Sequence, residues 1–435
     1  MIGKFDAIVV GAGPAGSTAA LILARAGLKV ILLERGEYPG SKNVSGAALY
    51  GTRILHELIP NFWEEAPVER YLTRRVLTFI SPQSSFSLDF RTTNFDQPPY
   101  NGFTVLRPKF DRWFASKAQE AGALLVPATV ADDLIWDGDM VVGVRTRRED
   151  GEIYGDVVIA ADGVNSLLAK KAGLRRDLDA RQVSIGVKEV IALDRKTIEE
   201  RFNLQGDAGV TYEFAGSVTG QVYGGGFLYT NRDSLSIGIV AKLASLAERQ
   251  VKIYELLEEF KSHPSIEPLV RDGVVKEYSA HMVPEAGWRM IPKLYSNGLL
   301  VVGDAAAFNL HTGIFSEGMN YAIASAAAAA ETVKQAKAKG DFSSRSLSRY
   351  RRLLQRSFVL QDLKRFKRAP DFVNNPRLQN VYPITICRAA ENLFKVEGSP
   401  RRKVAKVVLG QLREDNLSLW QVLRDAIDGG RALIW

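Results

Sequence analysis

Residues 5–20 read FDAIVVGAGPAGSTAA. A run of β-forming residues leads into the glycine-rich turn GAGPAG, and an alanine- and leucine-rich segment follows with the composition of a helix. LKVILLER (28–35) then has the composition of a second buried strand. The order strand, tight turn, helix, strand predicts a βαβ unit at the start of an α/β domain with a parallel sheet.

The turn also predicts a ligand. Gly11, Gly13 and Gly16 have the spacing G-x-G-x-x-G, with Pro14 and Ala15 between them. Residues without a side chain let the turn tighten and let a pyrophosphate approach the helix N-terminus, where free N–H groups favour an anion. Glu34 lies 18 residues after Gly16, the distance at which an acid accepts hydrogen bonds from an adenosine ribose. With no second copy of the motif, we expect one bound dinucleotide.

A second stretch, GLLVVGDAAAF (298–308), indicates which dinucleotide. Five apolar residues predict a buried strand, and Asp304 follows it beside the small residues Gly303 and Ala305. A carboxylate among small residues suits a polyol such as the ribityl chain, which FAD has and NAD lacks. A helix cap is the alternative role for Asp304. The flavin ring is expected over GMNYAIAS (318–325), with the positive end of the following helix facing it.

The remaining segments divide into further predicted units. Two strands within 140–160 are expected to form a hairpin at Asp150–Gly151. Short β-rich runs over 183–240 predict a separate, mainly β layer. A long helix is expected from Ser316 to Lys339, closed by Gly340, and the last ~95 residues have helical periodicity.

Composition narrows the class of protein. With 435 residues, 46% of them hydrophobic, the chain is long enough for two or three packed units. A formal net charge of +8 favours acidic partners or anionic lipid, but no zinc or base-stacking motif accompanies it, so we expect no nucleic-acid binding. The single cysteine, Cys387, cannot form an internal disulfide or hold an iron–sulfur cluster, and we expect a buried filler in a cytosolic protein.

Motifs spread over nearly the whole chain carry a family resemblance. Besides the nucleotide-site motifs GAGPAG, ADGVNS (161–166) and GDAAAF (303–308), the chain contains SKNVSGAALY (41–50), VLRPKFDRWF (105–114), IGVKEV (185–190), GGGFLYTN (224–231) and SAHMVPEAG (279–287). Together they resemble the FixC/EtfC branch of the electron-transfer flavoprotein:quinone oxidoreductases, which are relatives of geranylgeranyl reductases and aromatic hydroxylases.

The resemblance implies a fold and a domain plan. The expected fold is α/β: a Rossmann-like FAD-binding domain of the glutathione-reductase (GR2) type, with an inserted mainly-β substrate or quinone domain and a C-terminal helical region. The expected FAD-binding domain comprises 1–75, 101–180 and 281–340. The β-rich domain comprises 76–100 and 181–280, and the helical region, facing partners or the membrane, comprises 341–435.

The resemblance also implies which residues bind FAD. Gly11, Gly13 and Gly16 would hold the pyrophosphate, Glu34 the ribose, and Arg107 the phosphate and ribityl region. Residues 42–46 would lie near the ring, Asp162 would support the inner wall, and Asp304 would bind the ribityl hydroxyls. The complete predicted set is Gly11, Gly13, Pro14, Ala15, Gly16, Glu34, Arg35, Lys42, Val44, Ser45, Gly46, Arg107, Val130, Ala161, Asp162, Gly163, Gly303, Asp304, Gly318, Met319 and Asn320.

One position departs from the family pattern. Relatives often carry a basic residue ahead of the Gly-Met pair, whereas this chain has Glu317, with His311 nearby. An acid near the ring would make it harder to reduce, and a cationic His311 could offset that effect. A loop histidine without a role is the alternative.

The function implied by the resemblance is electron transfer. The chain is expected to take electrons that originate in NADH from an electron-transfer flavoprotein, within a bifurcating complex, and to pass them to a membrane quinone. A geranylgeranyl-reductase-like or hydroxylase-like enzyme acting on an organic substrate is the alternative, and a scaffold subunit whose flavin never cycles is another. The expected partners are two electron-transfer flavoprotein subunits, a small ferredoxin-like iron–sulfur subunit and the quinone.

The expected location is cytoplasmic, peripheral on the inner face of the cytoplasmic membrane. Residues 345–368 carry nine Lys/Arg and one Asp, and Leu347, Tyr350, Leu354 and Phe358 fall at helical spacing. This pattern predicts an amphipathic basic helix that docks on an acidic ferredoxin-like partner or on anionic lipid. A solvated helix packed by one face is the alternative.

Overall fold

The computed structural model describes residues 4–43, 45–285, 287–314 and 316–434. In chain order the strands are β1 (Phe5–Val10), β2 (Val30–Leu33), β3 (Ala47–Tyr50), β4 (Val68–Ile80), β5 (Ser85–Arg91), β6 (Gly102–Val105), β7 (Leu124–Val126), β8 (Ala131–Asp137), β9 (Met140–Thr146), β10 (Glu152–Ala160), β11 (Val183–Ala192), β12 (Ala208–Gly216), β13 (Gly224–Thr230), β14 (Ser234–Lys242), β15 (Val274–Pro284), β16 (Tyr295–Ser296), β17 (Leu299–Val301), β18 (Leu310–His311) and β19 (Ser316–Glu317).

Helices connect and cover these strands. In chain order they are α1 (Pro14–Arg25), α2 (Arg53–Leu58), α3 (Arg107–Glu120), α4 (Leu167–Lys171), α5 (Arg195–Phe202), α6 (Leu243–Arg249), α7 (Ile253–Ser262), α8 (Glu267–Val270), α9 (Met319–Lys339), α10 (Ser344–Leu347), α11 (Arg349–Arg356), α12 (Phe358–Arg365), α13 (Ala369–Val373), α14 (Tyr382–Phe394), α15 (Val404–Glu414) and α16 (Leu419–Leu433). Within the described ranges, none of them combines the length and the hydropathy needed to span a bilayer.

The first sheet has the order β16-β17-β10-β1-β2-β7. From β17 to β7 every neighbouring pair is parallel, and β1 lies at the centre between β10 and β2. Its central strands are buried on both faces, as their sequences predict, since β2 and β17 are apolar throughout and β1 is apolar except for Asp6. Helices α1, α3 and α9 pack on one another beside the sheet. The βαβ unit, the 140–160 hairpin and the strand at 298–302 are therefore confirmed.

The second sheet has the order β15-β11-β14-β13-β12-β4-β6-β3, with β5 on β4. Successive residues of its central strands face opposite sides. One side packs Val187, Leu228, Ile237 and Ile239 with helices α5–α8 in a second core. The other side carries small and polar residues, and it faces the carboxyl edge of the first sheet across a cavity.

Strand pairing also bears on the expected domain boundaries, which stay a prediction. Residues 47–50, 68–75 and 102–105, which the plan assigned to the FAD-binding domain, pair with the second sheet in the structure. β4 continues without a break across residue 75, because it must reach both β6 and the long strand β12. Local composition does not reveal such long-range pairing.

Two helix predictions need correction. The long helix begins at Met319 rather than Ser316, because Ser316 and Glu317 pair with Leu310 and His311 in a two-stranded ribbon. It ends at Gly340 as expected, with a left-handed φ of 64°.

The basic segment is three short helices, α10 to α12, rather than one. Ser357 breaks it and caps the third helix by accepting a hydrogen bond from the Val359 N–H. Leu347, Tyr350 and Leu354 are fully buried, so the apolar face packs on the protein.

Cys387 is buried, as expected, and its thiol lies 3.3 Å from the Phe79 carbonyl oxygen.

Candidate functional site

The parallel strands bring the predicted residues to one edge. β1 ends before Gly11, β2 before Glu34, β10 before Asp162 and β17 before Asp304. Because the carboxyl ends of parallel strands share one edge of the sheet, residues separated by up to three hundred positions meet there. This arrangement explains why an acid follows the late strand.

Two glycines of the motif serve close packing as well as a ligand. A Cβ on Gly11, whose φ is +100°, would lie 2.4 Å from the Ala161 carbonyl oxygen. A Cβ on Gly16 would lie 1.7 Å from the Gly11 carbonyl oxygen. Gly11 and Gly13 line the cavity, whereas Gly16 lies behind them at the contact between α1 and the turn. The structure thus gives Gly16 a packing role, and its expected contact with the pyrophosphate stays a prediction.

Glu34 is held by the glycine turn. One carboxylate oxygen accepts from the Ala12 N–H at 2.9 Å, and the other accepts from the Gly36 N–H at 2.7 Å. The side chain is buried but lines the cavity. Each oxygen keeps a second acceptor site, so this carboxylate can receive hydrogen bonds from vicinal hydroxyls.

Arg107 faces the N-terminus of α1. It is the first residue of α3, and two of its nitrogens donate to Asp111 at 2.9 and 2.8 Å. Asp111 is fully buried and also accepts from the Asn43 side chain at 2.9 Å. A Cβ on Gly13 would lie 4.0 Å from the Arg107 Nη2. Burial lowers the pKa of Arg107, but the Asp111 carboxylate raises it by more, so the pKa is raised overall. The guanidinium therefore stays a fixed cation beside the helix terminus.

Asp162 and Asp304 are two partly exposed acids that follow strand ends, and each interacts with the charge of Arg175. Asp162 accepts from the Ser166 hydroxyl at 2.8 Å and from the Leu168 N–H at 3.1 Å, so it caps α4 from the inner wall. Burial raises the pKa of both acids, and the Arg175 charge opposes this. Arg175 donates to the Ala305 carbonyl at 3.2 Å, and its other terminal nitrogen has no partner in the described part of the chain.

The N-terminus of α9 opens on the same cavity through Gly318 and Met319. Asn320 lies off the wall, and its side chain donates to the Glu317 carboxylate at 2.5 Å. Gly303 is also behind the wall, where its N–H donates to Ser325 at 3.0 Å. His311 lines the cavity, whereas Glu317 does not and accepts the Asn320 hydrogen bond behind the wall.

The loop expected near the ring divides into two parts. Lys42 is exposed and lines the cavity. Val44 lies outside the described residues. Ser45 and Gly46 are buried and do not line the cavity, because they pack under β11 and β14, where a Cβ on Gly46 would lie 2.1 Å from the Ser236 hydroxyl oxygen.

The second sheet supplies a wall that the sequence analysis did not assign residue by residue. Every second residue of β11 lines the cavity: Ser184, Gly186 and Lys188. Glycines 224–226 on β13 leave a flat strip, and Phe227 and Tyr229 stack with ring centroids 5.0 Å apart. The alternation of small or polar with apolar residues in VSIGVKEV (183–190) was the signal that could have found this wall.

Titratable groups concentrate on that wall. Burial, with Arg107 contributing, lowers the pKa of Lys188 to about 7 and that of His281 to about 4. Burial raises the pKa of Tyr50 to about 12. None of the three was predicted. Perturbed groups that converge on one cavity indicate a functional site.

These residues surround one cavity of about 1000 Å³. The predicted residues on its wall are Gly11, Gly13, Pro14, Ala15, Glu34, Arg35, Lys42, Arg107, Val130, Ala161, Asp162, Gly163, Asp304, Gly318 and Met319. The predicted residues off it are Gly16, Ser45, Gly46, Gly303 and Asn320.

The residues present fit FAD. The glycine turn leaves no room for side chains and stands beside a fixed arginine, which suits a diphosphate. Glu34 lies on the cavity wall, where its carboxylate can accept hydrogen bonds from a ribose. The carboxylate of Asp304 accepts no hydrogen bond that the described residues show, which leaves its acceptor sites for a polyol. Bound FAD would supply the redox chemistry, and these side chains would bind and orient it.

Three family models match the chain. An FAD binding domain matches residues 4–205, an ETF-QO ubiquinone-binding model matches residues 183–283, and an ETF-QO/FixC family C-terminal domain matches residues 369–434. The first covers most of the first sheet, and the second covers β11 to β15 except its last residue.

Curated relatives match over almost the full length. A probable electron transfer flavoprotein-quinone oxidoreductase, YdiS, of Escherichia coli is 44% identical over 430 residues, which are 99% of each chain. Protein FixC of Bradyrhizobium diazoefficiens is 45% identical over 410 residues, which are 93% of this chain and 94% of that protein. Protein FixC of Azotobacter vinelandii is 42% identical over 439 residues and the full length of both.

Solved structures share the fold. A geranylgeranyl bacteriochlorophyll reductase-like protein from Thermoplasma acidophilum superposes with a TM-score of 0.72 at 22% identity, covering 98% of this chain and 99% of that one. The flavin-dependent brominase Bmp2 superposes with a TM-score of 0.67 at 17% identity, covering 95% and 99%. Because relatives that cover almost the full chain exceed 40% identity, this chain belongs to the electron-transfer flavoprotein–quinone oxidoreductase (ETF-QO)/FixC family of FAD-dependent oxidoreductases.

Proposed function

We propose that this chain receives electrons from an electron-transfer flavoprotein and passes them to a membrane quinone bound against the second sheet. One observation carries the proposal: the FAD cradle and the wall formed by β11, β13 and β14 line the same cavity. A quinone on that wall would lie within the space that the cofactor shares, so electrons need no further carrier between them.

The wall suits a flat ring. Gly186 and Gly225 remove side chains from its floor, while Phe227 and Tyr229, on the same face of β13 as Gly225, provide aromatic contact at its border. Tyr50, on β3 of the same sheet, also lines the cavity, with its hydroxyl 3.2 Å from the Thr211 hydroxyl oxygen. Hydroxyl and ammonium donors on an otherwise small-residue wall can orient a carbonyl oxygen of the acceptor.

The proposed partners follow from the family. FixC relatives and an electron transfer flavoprotein-quinone oxidoreductase cover this whole chain. We propose a bifurcating complex in which two electron-transfer flavoprotein subunits deliver NADH-derived electrons. The chain has a single, buried cysteine, so a small ferredoxin-like subunit would carry the iron–sulfur cluster.

We further propose that the C-terminal region contacts the membrane from the cytoplasmic side. Phe394 and Trp420 are 73% and 72% exposed, and an apolar crevice beside Phe394 is lined by α14 and α15. Exposed Arg401, Arg402 and Lys403 lie between these two helices. Exposed apolar side chains flanked by cations suit the interface of an anionic bilayer. Changing Phe394 and Trp420 together to Ser should reduce sedimentation with phosphatidylglycerol vesicles, and unchanged sedimentation would contradict this contact.

The proposed function is tested by quinone reduction with purified components. The FAD-loaded chain, a reduced electron-transfer flavoprotein and a short-chain benzoquinone are mixed without oxygen, and quinol is measured by chromatography. Quinol that forms only when the chain is present supports the relay. Reduction of bound FAD by NADPH, with no reaction with quinone, would instead support the alternative reductase or hydroxylase function.

A further inference from the structure

Lys188 is a buried lysine at the centre of the second sheet's cavity wall. It is 8% exposed and lies on β11, between β14 and β15. Among the described residues it forms no ion pair: the neighbouring Glu189 binds Lys261 at 2.8 Å on the other side of the sheet. A buried charge without a counter-ion is costly, so its presence calls for a function.

Neighbouring residues hold the amine in a defined place. In register across three strands, Lys188 is opposite Gly238 and Gly238 is opposite Phe227. A Cβ on Gly238 would lie 2.5 Å from the Phe227 ring, so only glycine lets the ring lie there. The Nζ atom of Lys188 stands 5.2 Å from the centroid of that ring and donates a hydrogen bond to the Gly46 carbonyl.

The Gly46 bond joins the amine to the loop that connects β2 of the first sheet to β3 of the second. Gly46 belongs to the loop that the family resemblance puts near the flavin ring, whereas Lys188 belongs to the segment that matches the ubiquinone-binding model. An ammonium has three N–H bonds, and one goes to Gly46. The remaining two are available to a molecule in the cavity that Lys188 lines.

We propose that Lys188 is the catalytic acid that protonates a quinone oxygen in this cavity. The inference rests on the proposed function. Reduction of a quinone to a quinol takes two electrons and two protons. The electrons are those that the electron-transfer flavoprotein supplies. One N–H bond of the Lys188 ammonium breaks as an O–H bond forms, the amine then takes a proton from water, and the second quinol proton comes from water.

The charges around Lys188 favour release of its proton. Arg107 on α3 opposes its charge, and Glu277 on β15 supports it. His281 on β15 also faces the region, together with Arg35 from the loop after β2. Burial and Arg107 lower the pKa of Lys188 to about 7, so near neutral pH it can both donate and regain a proton. His281, with a pKa of about 4, is neutral there and cannot replace it.

The kinetic test uses the dithionite-reduced, FAD-loaded chain without partners, mixed with a short-chain benzoquinone from pH 5.5 to 9. In the unmodified chain the reoxidation rate should fall as pH rises through about 7, since the donor must be protonated. Lys188→Met should reduce the rate at least tenfold at pH 6 and lose this pH limb, and Lys188→Arg should not restore it. Lys242→Met, at the other lysine on this wall, should keep the limb.

Two comparisons separate the possible failures. Ferricenium accepts an electron without a proton, so its reaction rate should be the same for the unmodified chain and Lys188→Met. If the reduced chain reacts with ferricenium but not with quinone, the proposed function fails. If it reacts with quinone and Lys188→Met keeps the pH limb, the role of Lys188 fails while the proposed function stands.

A labelling measurement provides a readout that does not depend on turnover. The FAD-loaded chain is treated with trace acetic anhydride over pH 5 to 11, and acetylation of the peptide that contains Lys188 is measured by mass spectrometry. The proposal predicts a midpoint near 7, well below the ordinary value of about 10.4 for a lysine. A midpoint for Lys188 near that ordinary value, or no acetylation at any pH, would overturn the proposal.

Discussion

Asp304 and Glu34 are acids that follow two parallel strands, and they differ in the hydrogen bonds that their carboxylates accept from the protein. Glu34 accepts two backbone N–H bonds, at 2.9 and 2.7 Å, which fix its position. Asp304 shows no such bond among the described residues, and burial raises its pKa. Its carboxylate is therefore the acceptor that depends most on the cofactor's hydroxyls.

Asp304→Asn is expected to raise the dissociation constant for FAD roughly ten- to a hundredfold, because hydrogen bonds to a charged acceptor contribute about 1.5–3 kcal/mol. Fluorescence quenching of added FAD measures this. Asp177→Asn, at an aspartate whose side chain is 92% exposed, is the matched control and should bind FAD like the unmodified chain. Equal affinity in both variants would remove Asp304 from the cofactor site.

Lys188 should make stability depend on pH in a defined direction. Its pKa is lowered to about 7 in the folded chain, whereas an unfolded lysine titrates at about 10.4. Between these values the unfolded chain binds more protons, so the free energy of unfolding rises with pH there. Below pH 7 the whole penalty is present.

Lys188→Met is therefore expected to stabilise the chain near pH 6, by on the order of a few kcal/mol, with a gain that shrinks towards pH 10. Urea unfolding at pH 6, 8 and 10 measures the difference. Lys196→Met, on the surface of α5, should change stability equally at each pH. A pH-independent difference for Lys188→Met would show that its amine is not perturbed.

Sequence could predict the residues whose role follows from local motifs. Gly11, Glu34 and Asp304 each follow a strand that is apolar apart from Asp6 of β1, so their shared edge follows from strand direction alone. Lys188, Arg175 and His281 could not be found this way. Their environment comes from strands and helices far away in the chain, and a lysine inside a β-rich run gives no local sign of burial.

At the scale of elements, the glycine turn joins β1 to α1 and packs closely against the end of β10. Gly11 has a φ of +100°, and its missing Cβ leaves space for the Ala161 carbonyl. Gly27, after the end of the same helix, has a φ of +77°, and a Cβ there would meet no atom of the described residues within 4 Å. These two glycines separate the effect of packing from that of backbone conformation.

Gly11→Ala is expected to lower the free energy of unfolding by several kcal/mol, because a steric clash adds to the strain. Gly27→Ala should lower it by about 1 kcal/mol from strain alone. Urea unfolding of both variants, with similar slopes against urea, measures the difference. Similar losses in the two variants would mean that the turn relaxes around the added methyl group.

The basic helices show where periodicity succeeds and where it fails. The apolar positions Leu347, Tyr350 and Leu354 are buried as the pattern predicts. The breaks between α10, α11 and α12 follow from capping by Ser357 and from packing on α9, which periodicity does not register. Arg351, Arg352 and Arg356 remain exposed on α11, available to a partner.

Changing these three arginines to Glu should weaken co-purification with the ferredoxin-like subunit at least tenfold at moderate salt, since charge steers such contacts. The matched control changes Arg53, Arg181 and Lys196 to Glu, which alters the net charge equally at exposed sites. Equal retention of the partner by both variants would place the docking surface elsewhere.

At the scale of the whole molecule, two sheets enclose one cavity from opposite sides. The first sheet contributes strand ends whose residues fit a dinucleotide, and the second contributes a small-residue wall with a buried lysine. The α/β class was predictable from the order of strand, turn, helix and strand, and the β-rich layer from the short β-rich runs over 183–240. The recruitment of β3, β4 and β6 into the second sheet was not, because it depends on pairing between residues more than a hundred positions apart.

Rapid mixing, with the FAD absorption band of this chain as the signal, tests the central claim most directly. The FAD-loaded chain is mixed without oxygen with a reduced electron-transfer flavoprotein, and a short-chain quinone is then added. The relay predicts that the band bleaches in the first step and returns in the second, each at least as fast as steady-state quinol formation. A band that stays unchanged while quinol forms would contradict the relay.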